Sequence, residues 1–178
     1  RQETMIRILS AVLLAVIGFD APYIQAQIRH MPPVSSFRSR FGYVNNLFLV
    51  AAEVIKQHTG MTWEEAVQRR LFAPLGMTES STGLPAYRSA TNAAFSHTML
   101  DGQVTAIPMD APSLGWAYTY GPAGGVNSTV VDMAKWLRLH LGRGMLEGTR
   151  LISEANMQVV HSPKTAIEPQ RVRQRNGD

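Results

Sequence analysis

Cysteine is absent from this 178-residue chain, which excludes disulfides, zinc thiolates and a cysteine nucleophile. Lysine is scarce: Lys56, Lys135 and Lys164 stand beside 14 arginines. The five histidines, His30, His58, His97, His140 and His161, never fall into an HxxxH or HExxH spacing. No metal site is therefore legible, and no cofactor is expected. No basic helix with interleaved aromatics occurs, which argues against a nucleic-acid partner. No internal repeat is visible either.

What remains is the composition of one ordinary domain. The apolar share is 45% and the formal charge +4. A compact chain near this size buries roughly 70% of its unfolded surface. Three arginines crowd the final "RVRQRNGD", so part of the basic character belongs to a tail, residues 167–178, expected to be solvated and disordered. Residues 1–28 form an apolar N-terminal segment. From Met5 it reads "MIRILSAVLLAVIGFDAPYIQA", an apolar run behind Arg7 and ahead of a small residue at Ala26. It can be read as a secretory signal, which would make the protein periplasmic or secreted. It can equally be a buried helix of the domain, compatible with the cytoplasm. The run is too short for a comfortable membrane span of about 20 residues, so stable membrane insertion is not expected.

Residues 29–166 read as the body of the domain. "RHMPPVSSFRSRFG" is loop, ending in extended chain. Leu47, Val50, Ala51, Val54 and His58 then recur at helical spacing, with Asn45 or Asn46 as N-cap and Gly60 as terminator. Thr62 and Glu65 make a capping box for a helix reaching Arg70 or Phe72, which Pro74 is expected to stop. Residues 79–120 show no sustained period and suggest loops with short strands. "GPAGGVNST" reads as a glycine turn feeding a helix boxed by Thr129 and Asp132 and ended by Gly142. A last helix should start at Ser153 and stop before Pro163. The three longer patterns predict one helical cluster burying Leu47, Val50, Ala51, Val54, Val67, Leu71 and Leu137. Reversal at Gly124-Gly125 predicts a positive φ at one of them.

Three blocks carry a family likeness. "FGYVNNLFLVAAEVIKQHTGMTWEEAVQRRLFAPLGM", "GPAGGVNSTVVDMAKWLRLHL" and "LISEANMQVVHSPKT" together resemble serine β-lactamase-like hydrolases. That group includes class C β-lactamases, D-alanyl-D-alanine carboxypeptidases and family VIII esterases. The resemblance runs from about His30 to about Thr165, in family order and spacing. It implies an α/β (α+β) fold of the β-lactamase/transpeptidase type, of which this chain supplies mostly the helical part and few strands. It also implies hydrolysis of a small-molecule ester, lactam or D-amino peptide through an acyl-enzyme. In such enzymes an S-x-x-K pair supplies nucleophile and lysine, a Y-x-N supplies a proton-shuttling phenol and an amide, and a K-T-G or H-x-G strand lines the far side. A phenol of ordinary pKa ~10 becomes a useful base only beside cations. Serine then attacks the carbonyl while backbone N–H groups hold the oxyanion.

By that resemblance Tyr43 is the shuttle and Asn45 the amide that orients lysine and substrate. Read from the residues alone, Tyr43 is an aromatic at a helix entrance and Asn45 an N-cap. Because "GYVNN" is a poor recipe for full burial, Tyr43 is expected in a concave, partly exposed place. Lys164-Thr165-Ala166 imitates the K-T-G and makes Lys164 and Thr165 candidate substrate-binding residues. Against this, Ala166 replaces the glycine, and Pro163 and Pro169 flank the triplet. The nucleophile pair is missing: Glu53, Asp132 and His161 stand three residues before the lysines, and no serine does. Two readings follow: an incomplete form or fragment of a serine hydrolase, or a non-catalytic binding module descended from one. In either case apolar surface left uncovered would favour self-association.

Overall fold

The computed structural model describes residue 15 and residues 18–33, 35–39 and 41–165. The expected tail and most of the apolar N-terminal run lie outside them. Asp20 opens α1 (Ala21–Ile28) by accepting a hydrogen bond from the Tyr23 amide, with Pro22 in the first turn. Pro suits that turn because the amide it lacks would have no helical partner there. α2 (Asn46–Thr59) follows, closed by Gly60 at φ 68°.

α3 (Trp63–Val67) starts at the predicted box: the Thr62 hydroxyl accepts from the Glu65 amide and the Glu65 carboxylate accepts from the Thr62 amide. Pro74 does not stop the helix, contrary to expectation. The chain widens into a π-turn over Gln68–Phe72, with the Ala73 amide reaching back to the Gln68 carbonyl, and runs on through α4 (Ala73–Leu75) to Gly76. The wider turn accommodates a proline that a regular α-turn would exclude.

Residues 79–120 supply β1 (Ser81–Thr82), α5 (Leu84–Ser89), the hairpin β2 (His97–Leu100) and β3 (Gln103–Ala106), and α6 (Gly115–Thr119). α7 (Gly121–Gly124) leads into β4 (Val126–Asn127), and α8 (Val130–Leu141) into the small hairpin β5 (Met145–Leu146) and β6 (Thr149–Arg150). α9 (Glu154–His161), capped by the Ser153 hydroxyl, ends before Pro163 as predicted. The sheets are two-stranded and antiparallel: β1 with β4, β2 with β3, β5 with β6. This is a helical assembly with few strands.

Among the described residues, two hydrophobic clusters replace the single one expected. The first joins Ile24 of α1, Leu49 of α2 and Tyr120, with Ala21 and Ala123 against them. The second joins Phe72, Leu75, Met77 and Leu139, flanked by half-buried Val67, Leu71, Trp136 and Ile152. α2 is rotated from its predicted facing. Leu49 and Asn46 are buried, whereas Leu47 (55% exposed), Val50, Ala51 and Val54 (51%) face outward. The neighbours explain this: α1 and α7 present the small residues Ala21 and Ala123, so Leu49 sits deep between them, and no described element covers the 47/50/51/54 stripe. Leu137 is likewise exposed, because α8 turns Leu139 and Asp132 inward.

The glycine turn needs a different explanation from the one expected. Neither Gly124 nor Gly125 has a positive φ. Gly125 is required for close approach instead: a Cβ there would lie 2.7 Å from the Gly121 Cα, while one on Gly124 would meet open space.

Candidate functional site

Tyr43 stands in the extended segment that leads into α2. The residue is 63% exposed. Asn45 occupies the N-cap position, but its side chain makes no capping bond; its carbonyl accepts from the Phe48 amide at 3.0 Å. That leaves the Asn45 amide free of the local role the sequence offered it. The next residue does the anchoring. Asn46 is buried (6% exposed), and its Nδ2 lies 3.9 Å from the Met31 sulfur, tying the start of α2 to the loop after α1. Tyr43 and Asn45 thus project from a backbone held by a neighbour that sequence reasoning assigned only to capping.

Lys164 and Thr165 follow α9 in irregular chain, not in a strand. The Lys164 ammonium donates to the Ser162 hydroxyl at 2.6 Å. Among the described residues, no hydrogen bond or ion pair links either of them to Tyr43 or Asn45. Tyr43 and Asn45 thus stand at the entrance of α2, while Lys164 and Thr165 follow α9 with only the local Ser162 contact; Ala166 lies outside the described residues.

A groove of about 230 Å³ opens between α1, α2, α3, α6 and α7, lined by Leu49, Glu53, Lys56, Trp63, Glu64 and Tyr118 among others. Tyr43 and Asn45 do not line it. Tyr118 donates to Asn127 Oδ1 at 2.9 Å, and Asn127 in turn reaches the Ser81 hydroxyl. Burial raises the Tyr118 pKa, partly offset by the Asn127 contact.

The most heavily bonded polar group is one the sequence suggested only as half of a cap. Asp132 is 1% exposed. Its Oδ2 accepts from the Glu79 amide at 2.8 Å and the Ser80 hydroxyl at 2.9 Å, and its Oδ1 from the Lys135 ammonium at 2.8 Å. Lys135 also donates to the Gly76 carbonyl, and Ser80 shares a hydrogen bond with Ser128. Burial alone would raise the Asp132 pKa. The Lys135, Ser80 and Glu79 donors outweigh it and hold the carboxyl below its ordinary value. The Thr129 hydroxyl does cap the Asp132 amide, but the carboxylate turns away to the 76–80 turn. The Asp132/Lys135 spacing was the available signal; the partner turn, some 50 residues away, was not.

Few strands packed on a helical assembly is the arrangement of the helical part of a β-lactamase/transpeptidase-like fold. Solved structures agree: a penicillin-binding protein from Bacillus halodurans superposes with TM-score 0.67 at 20% identity, over 86% of this chain and 44% of that one. An octameric penicillin-binding protein homologue from Pyrococcus abyssi gives 0.66 at 21% identity, over 85% and 34%. The family model described as Beta-lactamase matches residues 12–175, and the chain belongs to that family. Penicillin-binding protein 4 of Amycolatopsis lactamdurans is 32% identical over 118 residues, 64% of this chain and 29% of that protein. The chain thus spans about a third of the length of such relatives. Among the described residues no helix is long and apolar enough to cross a membrane, and no cluster of three potential metal ligands occurs.

Proposed function

We propose that this chain carries the tyrosine side of an acyl-transfer site, and that it serves a serine hydrolase acting on a small ester, lactam or D-amino peptide. The supporting observation is positional. Tyr43 and Asn45 lie together on an exposed helix entrance, neither used for packing nor for capping, inside a segment matched by the family model. An exposed phenol beside an unengaged amide can reach a substrate, which a core tyrosine could not. Tyr43 would move the proton of a serine supplied from outside these 178 residues, and Asn45 would orient the lysine and the substrate amide. Lys164 and Thr165 contribute less to this reading, since they stand outside a strand and hydrogen bond locally.

The test is Tyr43→Phe in a protein that includes the serine-lysine pair. Acylation should fall by about a hundredfold or more, the scale of a lost proton-transfer group, with little change in melting temperature. A large loss of stability with intact turnover would instead make Tyr43 a packing residue. The second reading, a binding module without acylation chemistry, draws on the absence of any S-x-x-K from the sequence. It predicts ligand binding that survives Tyr43→Phe, with no covalent intermediate.

A further inference from the structure

α8 and α9 are joined near their C-terminal ends by two histidines. His140 Nδ1 and His161 Nε2 approach to 2.8 Å, and the rings stack with centroids 5.1 Å apart. Trp136, one turn earlier on α8, packs against the His140 ring in a T-shaped arrangement, centroids 4.3 Å apart. The remaining His140 nitrogen, Nε2, is buried with no hydrogen-bond partner.

Such a bridge needs one ring to donate and the other to accept. Two neutral rings satisfy it. A first proton on the pair satisfies it better, because a charged N–H of one ring then donates to the lone pair of the other. A second proton must go to the accepting nitrogen itself. Donor would then face donor, and two stacked rings would both be cationic.

The charged groups on the surrounding elements do not compensate. Glu147 of the β5–β6 turn pairs with Arg138, and Glu154 of α9 pairs with Arg143. Arg150 of β6 donates to the Arg143 and Ile152 carbonyls. Lys135, earlier on α8, is held by Asp132, Lys164 beyond α9 donates to Ser162, and Arg69 and Arg70 on the π-turn are exposed. Among the described residues, no carboxylate bonds to either imidazole.

We propose that His140 and His161 form an acid-released clasp that holds α9 on α8 while the pair carries at most one proton and lets α9 go when both rings are charged. The direction of titration agrees. Burial first, and the charge of His161 second, lower the His140 pKa from its ordinary value. A histidine depressed in the folded state contributes stability that is present above the ordinary value of 6.5 and is lost as pH falls below it.

The test uses the 178-residue chain, titrated from about pH 8 to about pH 5, with amide hydrogen exchange corrected for its intrinsic pH dependence. Indole fluorescence serves as a second readout, since an imidazolium quenches an adjacent tryptophan. Exchange over residues 154–161 should rise by about tenfold or more on acidification, ahead of any rise in α2 or α3. Quenching should accompany it and vanish in Trp136→Phe. His161→Asn and His161→Gln can still hydrogen bond but cannot gain a proton, so either should keep the quenching yet lose most of the acid-induced exchange. The proposal is overturned by flat exchange over 154–161. It is equally overturned by an acid-induced rise that persists in the His161 variants, or by acid unfolding in which α2, α3 and α9 open together.

Discussion

The two ends of this molecule are held by different means. Around Leu139, apolar packing and a buried charge network coincide: Phe72, Leu75 and Met77 close over α8, while Asp132 ties the same helix to the 76–80 turn through the Glu79 amide and the Ser80 hydroxyl and pairs with Lys135 on its own helix. Around Tyr43 the contacts are sparse. α2 is anchored on one side by Leu49 and Asn46 and leaves Leu47, Val50, Ala51 and Val54 outward. The difference shows where the chain is structurally self-sufficient. The Asp132 region has its partners within these residues; the Tyr43 region has an apolar stripe and two polar side chains for which the described residues supply no partners.

Removing the strongest tie should show the contrast most clearly. Asp132→Ala takes one acceptor from each of the Lys135 ammonium, the Ser80 hydroxyl and the Glu79 amide. It should cost about 4 kcal/mol in denaturant unfolding, the scale of breaking a partly buried charge pair. The sign with pH follows from the lowered pKa: a depressed carboxyl contributes stability above its ordinary value of 3.8, lost as pH falls through the folded-state value. Asp132→Asn should flatten that acid limb. An unchanged limb would mean that Asp132 does not govern it.

Leu49→Ala opens a cavity in the first cluster and should cost about 3 kcal/mol by the same measurement. A cost below about 1 kcal/mol would show that the first cluster is only loosely packed. Between neighbouring glycines the expectation splits. Gly125→Ala drives a methyl into Gly121 and should cost about 2 kcal/mol, whereas Gly124→Ala should be close to neutral. Equal effects would remove the close-approach explanation. Smallest of all, Leu47→Gln and Val54→Gln should each change stability by no more than about 0.5 kcal/mol and should reduce self-association. Losses comparable to Leu49→Ala would mean that the outer face of α2 is covered in solution.

Local rules carried the reading of the chain a long way. Thr62 with Glu65, Gly60 at positive φ, and the Ser153 cap ahead of Pro163 are all decided within a few residues, and each stands where expected. What failed was decided at a distance. Periodicity showed that α2 has an apolar stripe, but not that Ala21 and Ala123 would draw in Leu49 instead. Pro74 looked like a stop because a π-turn, which absorbs it, has no sequence signature. Asp132 looked like a capping residue because its true partners, Glu79 and Ser80, lie far off in sequence. Tyr43 and Asn45 were singled out by family likeness alone, and their catalytic role is a proposal; Tyr43 is exposed and the Asn45 side chain makes no capping bond.

The central claim, that this chain holds the tyrosine side of an acyl-transfer site without its nucleophile, can be tested on the purified chain. None of its 12 serines stands three residues before a lysine, and a serine needs such a base network to attack. Ser162, two residues before Lys164, follows α9 in chain broken by Pro163. The measurement is intact mass after incubation with a penicillin, a chromogenic cephalosporin and a fluorophosphonate. The account predicts unmodified protein in all three. A stoichiometric adduct mapped to a single serine would contradict it.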